Sequence, residues 1–244
     1  MWHWRGEGLL LAPLFSNRST FGGLPPIGVK ADPQRIDAAM SRLKVDDVTM
    51  LLIGHGHYDH LLDVPWIMLH HTLAATAFGS RTVARMLGLG NVPADRVKDV
   101  ENAMQVVAGC ARKGTSVLTP QWQTSSRGHI MALPIQSMHA SHFRVYTLAS
   151  GEVPEGLTEL PGTVFGWKQG QSMAWLIDLL DKPGGEIAYR FTSRTAPLVH
   201  RAAFQSLAPT TRLSTSRFSV WAPGKMRRTI RTNCRRRPDP GWCC

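Results

Sequence analysis

The stretch LLIGHGHYDHLLDVP, residues 51–65, sets three histidines and two aspartates within nine positions, directly after apolar residues. The run VTMLLI, residues 48–53, is continuous and short, as expected of a strand buried on both faces. Gly54 and Gly56 follow, so the backbone can turn tightly where the strand ends, and a rigid β-edge holds whatever the loop carries. His55 and His57 are two apart; in extended backbone their rings fall on one side, which suits a single metal ion. Asp59 and His60 come on the next turn, where an oxygen and another nitrogen can face a neighbouring ion, as two-metal hydrolytic sites require. A lone loop histidine is usually solvated or hydrogen-bonded. Four ligand-type residues in six positions after a strand reverse that expectation.

Outward from this loop, the sequence reads as alternating helices and strands. In ADPQRIDAAMSRL, Asp32 is an N-cap and Pro33 stands at the first helical position, with Ile36, Met40 and Leu43 along one face. A further helix starts near Ser80 in SRTVARMLGLG and stops at one of its glycines. Strands are expected at AMQVVA, HIMALPI, SMAWLIDLL and EIAYRF, with a turn at DKPGG between the last two. His70 and His71 sit at a helix end and read as structural. There is no internal repeat, and the alternation suggests a layered α/β architecture.

At 244 residues and 43% hydrophobic, the chain can bury one substantial core, as one α/β domain or two modest ones. The apolar run GLLLAPLF is far shorter than the ~20 residues a spanning helix needs, and it lacks the basic start and cleavage site of a secretory signal. No membrane span and a cytoplasmic location are the expectation. The four cysteines give no disulfide framework: Cys110 stands alone, Cys234 lies among arginines, and Cys243 and Cys244 are adjacent. The net charge of +11 is unevenly placed: residues 1–189 hold 16 basic and 16 acidic side chains, whereas residues 190–244 hold 12 basic ones and one acid, Asp239. Three readings of that basic segment compete: an arm for nucleic acid, a solvated tail, or residues translated out of frame. Apart from Trp221 and Trp242, the arm lacks aromatics interleaved with its basic residues that would stack bases, so nucleic acid is the lesser alternative as a partner.

The segment HGHYDH resembles the His-x-His-x-Asp-His signature of the metallo-β-lactamase fold hydrolases, and GHGHYDHLLDVP is most similar to the branch containing lipid phosphodiesterases and lactonases. The resemblance implies an α/β (α+β) fold, a four-layer αββα sandwich with a zinc site at one edge of its two sheets. It places His55 and His57 on a first metal, and Asp59 and His60 on a second. It also asks for a third histidine on the first metal; PIQSMHASHF supplies His139 after an apolar strand, with His142 and Tyr58 assigned to the substrate pocket. The implied cofactor is Zn2+, one ion or two, with Mn2+ or Fe2+ as alternatives. The implied reaction is attack of an activated water on an ester, lactone, amide or phosphodiester of a small-molecule substrate, with Asp59 orienting the nucleophile. A non-catalytic binding protein is the remaining alternative.

The resemblance further requires a metal-bridging aspartate soon after EIAYRF and a last histidine beyond it. The residues that follow, TSRTAPLVHRAAF, contain no acid, and His200 is the only histidine after His142. Asp178 and Asp181 precede that strand, where the pattern does not place the ligand. The charge step and the absent acid coincide, so we expect a hydrolase domain over residues 1–190, incomplete in its second half, followed by a basic irregular segment over 191–244. Our hypothesis is a frame change or truncation near residue 190. Under one GC-rich choice of codons for residues 191–196, the neighbouring frame encodes His-Val-Gln-Asp-Arg, restoring an aspartate. Sequencing the coding DNA should find such a shifted continuation; a single intact frame with no aspartate-bearing alternative would sink the idea.

Overall fold

The computed structural model of the chain describes residues 1–16, 27–106, 120–139 and 147–193. Its centre is β3 (Val48–Leu52), all five of whose residues are buried, as the continuous apolar run demands. Alternation divides that run: Leu51, with Ile53 just beyond, enters a core under the helices, while Met50 and Leu52 enter a core between two sheets. Each fully buried side chain of this size contributes roughly 1.5–3 kcal/mol.

The first sheet has the order β1-β2-β3-β4-β5, with β1 (Trp2–Trp4), β2 (Glu7–Leu11), β4 (Thr76–Gly79) and β5 (Val97–Asp99). Its β1–β2 pair is antiparallel and the other pairs are parallel. Crossovers between parallel strands need room, and helices supply it. Of these, α1 (Pro33–Met40) starts as read, with the Asp32 carboxylate accepting from the Arg35 amide at 3.3 Å. Next, α2 (Tyr58–Leu61) and α3 (Val64–His70) follow the histidine loop directly. Finally, α4 (Arg81–Leu89) is capped by the Ser80 hydroxyl, which accepts from the Val83 amide at 3.3 Å, and ends at Gly90. Arg96 caps the far end of α3 by donating to the carbonyls of Met68, Thr72 and Ala75 at 3.0, 2.6 and 3.1 Å.

The second sheet is antiparallel throughout, in the order β6 (Gln123–Thr124), β7 (Ile130–Gln136), β8 (Met173–Leu180) and β9 (Ile187–Ser193). Its inner face gives Ile130, Ala132, Trp175 and Ile177 to the core shared with Met50 and Leu52. The fold is therefore mixed α/β, with helices and sheets in separate layers. Among the described residues no helix is long and apolar enough to cross a membrane.

Three of the four expected strands form at the places read, and the turn at residues 181–185 joins β8 to β9. AMQVVA does not form one in its described part: Ala103 closes a 3-10 turn, and Gln105 makes a single bridge to Ile135. An apolar run alone does not distinguish a strand from a segment that merely covers a core. His70 and His71 stand at the helix end as read, His70 stacked on Trp66 with ring centroids 3.9 Å apart and His71 Nε2 hydrogen-bonded to the Asp37 carboxylate at 2.7 Å. The last strand runs to Ser193, and residues 194–244, with the whole question of an irregular basic tail, lie outside the described residues.

Two sheets packed by apolar faces can slide, because such contact is non-directional. A buried carboxylate fixes them at one end. Glu7, fully buried on β2, accepts from the Thr49 hydroxyl of β3 at 3.0 Å and from Ser125, Arg127 and His129 of the β6–β7 turn at 2.7, 2.8 and 2.9 Å. Burial raises its pKa, yet these donors together outweigh burial and hold it below the usual carboxylate range. A lowered native pKa contributes stability above the unfolded-state pKa, and that stability is lost as pH falls through the native value. Glu7→Gln should lower the unfolding free energy in urea by about 1–3 kcal/mol at neutral pH, with a smaller deficit in acid; an unchanged midpoint at both pH values would show that the sheets are pinned elsewhere.

Candidate metal centre

The histidine loop leaves the carboxyl end of β3, the usual place for sites in sheets with parallel strands. His57 keeps extended backbone (φ −64°, ψ 153°), so His55 and His57 do turn to one side, their ring centroids 4.8 Å apart. From the other sheet, the segment after β7 brings His139 to 4.6 Å from His55 and 4.7 Å from His57, centroid to centroid. One ring nitrogen from each of the three lies within 4.8 Å of the others, and His55 and His57 are buried. Zinc held at ~2.0–2.1 Å by imidazole in a tetrahedron needs nitrogens about 3.4 Å apart, so small side-chain rotations close the site. Three nitrogens suit zinc and its borderline neighbours and disfavour calcium or magnesium, which select oxygen.

His60 follows on α2, its ring 4.2 Å from His55, and its Nε2 stands 3.4 Å from a carboxylate oxygen of Asp59. His55, Asp59 and His60 form a second group whose ligand atoms lie within 4.8 Å of one another. The two groups share His55, so an ion held by the three histidines leaves Asp59 and His60 as the described ligands of a second. Burial pushes the His60 imidazole below its usual pKa, Asp59 opposing and His139 adding to the shift. His60 thus stays neutral, and able to ligate, further into acid. Asp59, with 46% of its side chain exposed, supplies the site's only described carboxylate.

The remaining sequence candidates separate. Tyr58 is half-buried, and burial followed by the Asp59 charge raises its pKa, so it remains protonated. It lines a cavity of about 1040 Å3 with Leu62, Trp66, Leu69, Leu160 and Trp167, none of the five metal-ligand candidates among the lining residues. His142 and His200 lie outside the described residues, as do all four cysteines. Asp178 is bound by Arg190 through both oxygens, at 2.5 and 2.6 Å, and Asp181 lies in the β8–β9 turn. Gly54 accepts from the Met173 amide at 2.7 Å, which puts the start of β8 at the histidines and its end, with both aspartates, at the opposite end. Ser193, pairing with Trp175, ends β9 on the histidine side.

Asp63, in the same motif, is anchored away from the imidazoles. Fully buried, it accepts from the amides of Phe15 and Ser16 at 2.5 and 2.8 Å, and the Ser16 hydroxyl in turn accepts from the Asp32 amide at 2.6 Å. Its role is to tie the loop after β2 and the start of α1 to α3. Sequence reasoning missed residues 168–171, which with Ser172 and Met173 at the start of the expected strand SMAWLIDLL touch both histidine-bearing limbs. Neither protein-family models nor curated proteins give a match to the chain.

His139→Ala removes one of three nitrogens and should weaken zinc binding by at least tenfold, while His142→Ala should have little effect. Affinity should also fall as pH is lowered, because protons compete with the metal for imidazole nitrogen. Competition titration with a chromophoric chelator reads both; equal affinity for His139→Ala and the parent would remove His139 from the site.

Proposed function

We propose that the chain is a metal-dependent hydrolase of the metallo-β-lactamase type, acting on an ester, lactone, amide or phosphodiester. The observation that carries this reading is the meeting of His55, His57 and His139, from two different sheets, at the carboxyl end of β3. The layers support it as well: helices, a mixed sheet and an antiparallel sheet are present in that order. By strand alternation, Leu133, Ile135, Ala174 and Leu176 face away from the inter-sheet core and are still buried, as a fourth layer would require.

In this mechanism His55, His57 and His139 hold the ion through neutral nitrogens. A bound zinc ion would supply Lewis acidity and lower the pKa of a water into the neutral range. Asp59, next to the cluster and open to solvent, accepts a hydrogen bond from the attacking water and orients it. His60, held neutral by burial, lies between Asp59 and His55 and would share a second, weaker ion with Asp59. With one carboxylate against two dications, that second ion lacks charge compensation, so turnover is slow and the first ion is the tighter. The domain proposed to do this spans residues 1–190 and ends within β9.

A panel of chromogenic esters, lactones, amides and phosphodiesters, run with zinc-loaded protein, tests the reading. Slow hydrolysis should appear in one class, vanish with chelator and fall by about 10²–10⁴-fold in Asp59→Asn. Zinc-loaded protein that accelerates none of the four classes over buffer would contradict it.

A further inference from the structure

The ring nitrogens of the three histidines can meet on one ion only if the limb after β3 and the limb after β7 hold a fixed separation. The limbs belong to different sheets, and one short segment, residues 168–173, is hydrogen-bonded to both. The Gly56 amide donates to the Gln169 carbonyl at 2.8 Å, and the Met173 amide donates to the Gly54 carbonyl at 2.7 Å. His55 therefore has a tied residue on each side. On the other limb, the Ser137 amide donates to the Ser172 carbonyl at 3.0 Å, two residues before His139.

The segment is itself braced. The Gln169 and Gly170 amides donate to the carbonyls of Ala149 and Gly151, each at 2.8 Å, and the Gln169 side chain donates to the buried Ser172 hydroxyl at 3.0 Å. It is also wedged between the histidine loop and α4. A Cβ on Gly56 would stand 2.5 Å from the Lys168 carbonyl oxygen; one on Gly170, whose φ is +62°, would stand 2.5 Å from Thr82 Cβ. Both contacts exclude any side chain, so these two glycines permit an approach that no other residue allows.

We infer that residues 168–173 are a strap that sets the spacing of the metal-binding imidazoles, with Gly56, Gly170 and Ser172 as positioning residues. The inference rests on the metal reading above. It differs from a merely structural brace in what it predicts: a brace changes stability, whereas a strap changes metal affinity and ligand geometry in protein that remains folded. Outer residues that orient ligands typically contribute 10–100-fold in affinity.

The test compares the parent with Gly56→Ala, Ser172→Ala and Gly8→Ala, each held well below its own melting temperature. Gly8→Ala is the control: its Cβ would meet Val48 Cγ2 at 2.9 Å, at the start of β3, away from the histidines. Zinc affinity and the visible spectrum of the cobalt(II)-substituted protein are the readouts. Gly56→Ala and Ser172→Ala should bind zinc about 10–100-fold more weakly with an altered cobalt spectrum, while Gly8→Ala melts earlier and keeps both parent values. Parent affinity and spectrum in Ser172→Ala and in any folded Gly56→Ala would overturn the inference; should Gly56→Ala not fold, Ser172→Ala decides. A parent that binds no zinc overturns the metal reading itself, before any variant is compared.

Discussion

Two backbone hydrogen bonds, made by the amides of Gly56 and Met173, join the histidine loop of the first sheet to the segment that enters β8 of the second, at one end of an interface packed mainly by apolar side chains. Apolar contact favours the packing of the sheets and leaves their relative placement soft. Directional bonds set it. Glu7 supplies them where β3 and β7 begin, and residues 168–173 supply them where those strands end. The imidazoles stand at the second of these ends. An error of an ångström there would separate His139 from His55 and His57, which lets so few bonds decide whether a metal site exists.

The centre of the fold was legible because its signals are local. The run at residues 48–53 has the length and continuity expected of a doubly buried strand, Asp32 with Pro33 and Ser80 each mark a helix start, and HGHYDH concentrates ligands directly after that run. His139 was expected only through the family resemblance, which asks for a third histidine after an apolar strand. The rest depends on pairing over long distances. Strands β1, β4, β5 and β6 are three, four, three and two residues long, too short to show a period. Glu7 reads in sequence as an ordinary surface acid, and only the fold gathers Thr49, Ser125, Arg127 and His129 around it. Residues 168–173 reach both histidine-bearing limbs through backbone amides and carbonyls, and such bonds leave no signature in sequence.

The same geometry orders the two ions the site could take. His55 is common to both ligand groups, and a ring nitrogen given to one ion is not available to the other. The three-histidine group is more buried and contains no carboxylate; the group with Asp59 and His60 contains one and faces solvent. Neither Asp178 nor Asp181 relieves the imbalance, since the antiparallel register places both at the far end of β8, Asp178 fully engaged by Arg190. On the proposed reading, these positions make the three-histidine site the tighter of the two and its neighbour the weaker.

The most direct test is X-ray absorption at the zinc edge, on protein loaded with one equivalent of zinc after gel filtration. The account predicts a first shell with three imidazole nitrogens at ~2.0–2.1 Å, reduced to two in His139→Ala. A shell dominated by oxygen at longer distance, or one that does not change in His139→Ala, would contradict a site built by His55, His57 and His139.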